Sequence, residues 1–132
     1  MSKIEIDSPK IAVLICLRDR PTELALLLQS LRTQIYKNFR IYIVDDFSGT
    51  PIEAYHFLIV IFNKMNEEGN FIKYHKNEFN HGVSKSRQKC VDLALEDDWA
   101  DLLLRVDDDV VLESDYIEKL LKTINQGYDL ST

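Results

Sequence analysis

The sequence predicts an α/β protein with a doubly wound, mostly parallel sheet. Three observations carry this. Four short strand-like runs alternate with four stretches of helical periodicity. The runs at 11–17 and 41–44 are almost continuously apolar, as expected of strands covered on both faces. Each connection is long enough for a crossover helix, and such connections join parallel strands with a right-handed sense. A chain of 132 residues fits a single domain, read as 1–132.

Taken in order, Ile11–Leu17 is the first strand, and it ends in Arg18-Asp19-Arg20-Pro21. Pro21 suits a first helical turn, because its fixed φ is already helical and its missing N–H is not needed there. Leu24, Leu27, Leu28 and Leu31 recur at i, i+3, i+4 and i+7, predicting a helix to about Ile35 with one apolar face. Ile41–Val44 is the second strand, closed by Asp45-Asp46-Phe47-Ser48-Gly49. A second helix is expected from Ile52 to Glu67; its middle, Phe57–Phe62, is apolar nearly all round, which predicts deeper burial than the first helix. Phe71–His75 alternates and reads as a shorter strand near a sheet edge.

A polar loop, Asn77–Gly82, leads to a third helix from Val83 to Glu96, with Arg87 at the margin of a face formed by Cys90, Val91 and Ala94. Glu96-Asp97-Asp98 reads as a solvated acidic loop, and Trp99 as packing. Leu102–Val106 is a fourth, buried strand. Ser114 is a favourable N-cap for a fourth helix to Gln126, with Ile117, Leu120, Leu121 and Ile124 as its stripe and Gly127 at C′. Tyr128–Thr132 resembles the start of another strand. A truncated sheet is therefore expected, with an edge open to a second copy of the chain.

Composition narrows the function classes. The chain is 45% hydrophobic and 29% charged, ordinary for a globular protein. A net charge of −6 argues against nucleic acid as a partner, since phosphate backbones reward Lys and Arg. No apolar run is long enough for a transmembrane segment, and Met1–Lys10 is too polar for a signal peptide. Cys16 and Cys90 form no metal or disulfide pattern and read as buried thiols. A cytoplasmic setting is the expectation.

The chemistry concentrates at strand ends. Asp107-Asp108-Asp109 follows the fourth strand and Asp45-Asp46 the second. Adjacent carboxylates repel unless a cation offsets them, and oxygen-only ligands suit hard ions such as Mg²⁺ or Mn²⁺. An acidic triplet on a solvated loop is the competing reading. If the strand order is 3-2-1-4, however, both clusters fall on one rim, next to the switch point where α/β sheets bind ligands. The turn after the first strand has no glycine, so a G-x-G-x-x-G dinucleotide site is excluded, and there is no P-loop.

Four segments carry a resemblance. Ile11–Pro21 is similar to an opening strand with an Asn-Arg-Pro-like turn, and Ile43–Ser48 to a VDDxS motif. Asn80–Arg87 is similar to an N-x-G-x-x-x-x-R loop and helix, and Val106–Asp109 to a DxD segment. Together they resemble the N-terminal, donor-binding half of a family 2 glycosyltransferase with a GT-A, Rossmann-like fold. The resemblance implies a nucleotide-sugar donor, commonly a UDP-sugar, and a saccharide, lipid or protein acceptor. It implies that Asp46 or Asp45 accepts a hydrogen bond from the base and that Asp107 meets the ribose or the metal shell. Asp108 would lie beside the donor and Asp109 would bind Mg²⁺ or Mn²⁺. Arg87 would lie near the diphosphate, and Leu17 would contact the donor through backbone. The catalytic base is expected beyond Thr132. Phe47 departs from the family pattern where Gly is common, Gln88 where Asn is common, and Leu17 where a small polar residue is usual. A non-catalytic nucleotide-binding module and a nucleotidyl- or phosphotransfer enzyme remain as alternatives from the residues alone.

Overall fold

The computed structural model describes residues 8–125. Gly127 and the incipient strand Tyr128–Thr132 lie outside the described residues. Within them the chain runs β1 (Ile11–Leu17), α1 (Pro21–Arg32), β2 (Phe39–Asp45), α2 (His56–Glu67), β3 (Phe71–Lys76), α3 (Val83–Asp97), β4 (Leu102–Asp107) and α4 (Tyr116–Asn125), with a 3₁₀ turn at Ile52–Ala54 before α2. All strand pairs are parallel, in the order β3-β2-β1-β4. This is the expected winding, and it follows from right-handed crossovers that run outward from β1 to β3 and then back across to β4.

The alternation of β1 explains the layers. Ile11, Val13, Ile15 and Leu17 face one side and join Leu24, Leu28, Leu31, Leu58, Ile61, Ile117 and Leu121 in a core beneath α1, α2 and α4. Ala12 and Leu14 face the other side and meet Tyr42, Val44, Cys90, Leu93 and Ala94 beneath α3. The two central strands are therefore apolar on both faces, as the sequence pattern requires.

Several expectations are corrected. The first helix stops at Arg32, three residues short of Ile35, and Gln34 leaves the helical path to reach the start of α4. The second helix is not the more deeply buried one. Only Leu58, Ile61 and Met65 of α2 are buried, and Phe57 is 43% exposed, because α2 packs on α1 and the edge strand β3 with one face only. Nor is β4 buried on both faces. Val106 points into the core, whereas Leu103 on the opposite face is 43% exposed. Asp97 is not simply solvated: its carboxylate accepts hydrogen bonds from Tyr42 Oη at 2.8 Å and Lys73 Nζ at 2.8 Å. Ser114 precedes α4 by two residues and does not cap it. Its carbonyl accepts Ile35 N–H, and Ile117 N–H is satisfied by Gln34 Oε1 at 3.1 Å. Trp99 does pack, stacking under the Arg40 guanidinium at 4.3 Å.

Candidate functional site

A cavity of about 550 Å³ opens at the carboxyl ends of β1 and β4 and the N-terminus of α3. That size suits a small-molecule ligand. Cys16, Leu17, Asp46, Arg87 and Asp107–Asp109 all line it, together with Arg18, Arg20 and Arg105. The fold thus brings every sequence-predicted site residue except Asp45 to one cavity wall.

The two adjacent acids at the carboxyl end of β2 have different surroundings. Asp45 is fully buried. Its Oδ1 accepts Ser48 N–H at 2.9 Å and the Ser48 hydroxyl at 2.6 Å, and its Oδ2 accepts the Tyr74 hydroxyl at 2.7 Å. Burial, and then that bond to Asp45, push the Tyr74 phenol well above its ordinary range. Asp46 faces the cavity and is 6% exposed. Its Oδ1 accepts Asn77 Nδ2 at 3.1 Å and His81 N–H at 2.8 Å, and its Oδ2 accepts Gly82 N–H at 3.0 Å. Burial alone would raise the Asp46 carboxyl, but the His81, Asn77 and Gly82 donors outweigh it and hold the group below the usual carboxylate range. Gly82 adopts φ +91°, a conformation that L side chains rarely take, and this aims its N–H at Asp46.

The backbone of Leu17 is engaged inside the fold, its carbonyl accepting Asp46 N–H at 2.9 Å. Phe47, where the family pattern favours Gly, sits at φ +62° in the left-handed region. Cys90 is fully buried as expected, but Cys16 is only half-buried and forms part of the cavity wall. Its place at the end of β1, beside Asp107 of β4, explains the exposure.

Arginines offset the acidic triplet. Arg87 Nη2 lies 3.9 Å from Asp107 Oδ1. Arg20 Nε lies 3.7 Å from Asp108 Oδ2, and Arg20 Nη1 lies 3.8 Å from Asp109 Oδ2. Burial pushes the Asp108 carboxyl up, Arg20 opposes the shift, and the neighbouring Asp109 and Asp107 add to it. Among the described residues no three His, Cys, Asp or Glu side chains converge into a ligand set. The donor chemistry still fits Mg²⁺ or Mn²⁺, because such ions often take only one or two carboxylates and complete their shell with water and substrate phosphates. An open rim carrying Asp107 and Asp109 offers that arrangement and not a closed cage.

Sequence reasoning missed the residues that hold these acids in place: Arg20, Ser48, Tyr74, Asn77 and Ser86. Arg20 had a legible signal, a cation in the turn on the acidic rim. Ser48 had one too, three residues from Asp45 within the VDDxS segment. Tyr74 and Asn77 had none, since their partners Asp45 and Asp46 lie 29 and 31 residues away.

A parallel sheet in this order, with its cavity over the β1/β4 switch point, defines the class: a Rossmann-like α/β domain with an acid- and arginine-lined ligand cavity. The sequence profile of Glycosyl transferase family 2 matches residues 12–132, and the chain belongs to that family. The fold is GT-A. It is similar to S. aureus TarS 1-349 in complex with UDP, with a TM-score of 0.68 at 21% identity, covering 89% of this chain and 32% of that one. It is also similar to the mannosyltransferase PcManGT from Pyrobaculum calidifontis in complex with GDP-Man and Mn²⁺, with a TM-score of 0.69 at 12% identity, covering 94% of this chain and 34% of that one. The chain spans about a third of the length of these structures. No curated protein sequence matches it. Among the described residues, no helix is long and apolar enough to cross a membrane.

Proposed function

We propose that this chain binds the donor of a metal-dependent glycosyltransferase, and that the donor is a nucleotide-sugar, specifically a UDP-sugar. The observation that carries this reading is the meeting of Asp46 with Asp107–Asp109 at one cavity, from strands on either side of β1. The UDP complex of TarS and the GDP-Man and Mn²⁺ complex of PcManGT support it by analogy of fold.

Asp46 takes the base. A carboxylate offers about four lone-pair sites. Asn77, His81 and Gly82 donate to that of Asp46, the Ser86 hydroxyl also favours its ionised form, and the carboxylate facing the cavity is the acceptor for the imide N–H of a uracil. Asp45, sealed from the cavity, instead holds the turn that carries Asp46. Asp107 meets the ribose or the metal shell, Asp109 holds Mg²⁺ or Mn²⁺, and Arg87 lies by the diphosphate. Bound there, the ion offsets the charge that grows on the leaving nucleotide. Leu17, whose side chain is buried in the core, meets the donor through the backbone at the end of β1.

Calorimetry with UDP tests this. The expected result is measurable UDP binding that Mn²⁺ strengthens tenfold or more, with Asp109→Ala removing most of the enhancement. UDP binding that is indifferent to Mn²⁺ would overturn the metal assignment. No UDP binding under either condition would overturn the donor assignment.

A further inference from the structure

The acidic triplet already has a counter-ion in the chain itself. Among the described residues, Arg20 is the cation whose head reaches two of the three acids, spanning Asp108 and Asp109 at 3.7 and 3.8 Å. Its backbone is held firmly. Asp19, at φ +55°, donates its N–H to Ser48 Oγ at 2.8 Å and accepts Gly49 N–H on Oδ1 at 2.7 Å, so the turn after β1 is pinned to the loop after β2. The Arg20 carbonyl accepts Leu24 N–H at 3.0 Å, anchoring the residue to α1. The side chain is held loosely by comparison. It is 48% exposed, and both contacts are longer than hydrogen bonds. Ion pairs of that length and exposure are weak and easily replaced.

We propose that Arg20 is an exchangeable counter-cation: it neutralises Asp108 and Asp109 while no divalent ion is bound, yields Asp109 when the ion arrives, and turns its guanidinium to the anionic diphosphate. The inference rests on the donor and metal reading given above. A guanidinium and a divalent ion cannot share Asp109 Oδ2 without repulsion, so each excludes the other from that oxygen. The diphosphate draws Arg20 away and thereby frees Asp109. Nucleotide and metal are then coupled through Arg20, in addition to any direct contact between them, and the coupling is reciprocal. Arg20 acts here as a positioning residue: it sets the order of charge exchange and takes part in no bond change.

The test measures Mn²⁺ binding by paramagnetic resonance without nucleotide, and UDP binding by calorimetry in a chelator. Wild type is compared with Arg20→Ala, Arg20→Gln and Arg20→Lys. Removing the competitor should tighten Mn²⁺ binding by roughly fivefold in both neutral variants, at the low end of common coupling factors. The same variants should weaken metal-free UDP binding. Lys keeps the charge on a flexible stem and should stay near wild type in both measurements. If wild type binds UDP with Mn²⁺ but the neutral variants bind Mn²⁺ alone no more tightly than wild type, Arg20 merely organises the acids and the inference fails by itself. If no variant binds Mn²⁺ even with UDP present, the metal assignment fails along with it.

Discussion

Asp45 and Asp46 show how far one position along a strand separates two identical side chains. Alternation along β2 sends Asp45 to the face of Ile43, beneath Tyr74 and Ser48, and Asp46 to the face of Val44, toward the loop before α3. The first is a buried structural acid; the second opens on the cavity. Because the Asp46 carboxyl is held below its ordinary range, folding favours its ionised form. Its contribution to stability is fully present above the unfolded value of about 4 and is lost as pH falls through the depressed folded value. Asp46→Asn would point an amide at the donor N–H groups, at a cost of about 1–3 kcal/mol at pH 7. Urea unfolding at pH 7 and pH 3 checks this: the gap between wild type and variant should shrink at the lower pH. An equal gap at both values would show that charge on Asp46 does not stabilise the fold.

At the scale of elements, the ends of helices depend on distant chain. The α4 N-terminus is satisfied by Gln34, whose Nε2 also donates to the Glu113 carbonyl at 2.6 Å and whose side chain is almost fully buried. One amide therefore joins the end of α1 to the start of the helix that follows the acidic triplet. Gln34→Ala leaves a buried N–H and a carbonyl unpaired and should cost about 1–3 kcal/mol. The expected reading is a lower urea midpoint with an unchanged slope. A loss below about 0.5 kcal/mol would mean that water replaces the amide and that the link is not structural. The loop before α3 depends on Gly82 in the same way, since its positive φ is needed to present an N–H to Asp46.

In the molecule as a whole, the two apolar layers meet at β1 and β2, and the described sheet thins outward. β3 is partly exposed along its length, and β4 alternates between covered and open residues. Amide hydrogen exchange should accordingly be slowest in β1 and β2 and faster in β3 and β4, because opening an edge strand exposes less apolar surface. Protection of β4 equal to that of β1 would show that its outer face is covered in solution. The same architecture places the candidate site. Strands β2 and β4 flank β1, so acids far apart in sequence reach one rim, and arginines from the β1–α1 turn and from α3 close around them.

By itself, the sequence determined the elements, their parallel winding and the acids at the ends of two strands. Those follow from hydrophobic period and crossover handedness, which are local in the chain or universal in sense. It also carried the family motifs. The strand order, and with it the rim the acids share, is a property of the folded sheet. Only the tertiary structure decided which acid of the Asp45-Asp46 pair faces the cavity, how deeply α2 is buried, what satisfies the start of α4 and which cation sits on Asp109. Each of these depends on a neighbour far away in the chain. Asp45 meets Tyr74 across 29 residues and Ile117 meets Gln34 across 83, and no pattern within a strand or helix encodes such a pairing.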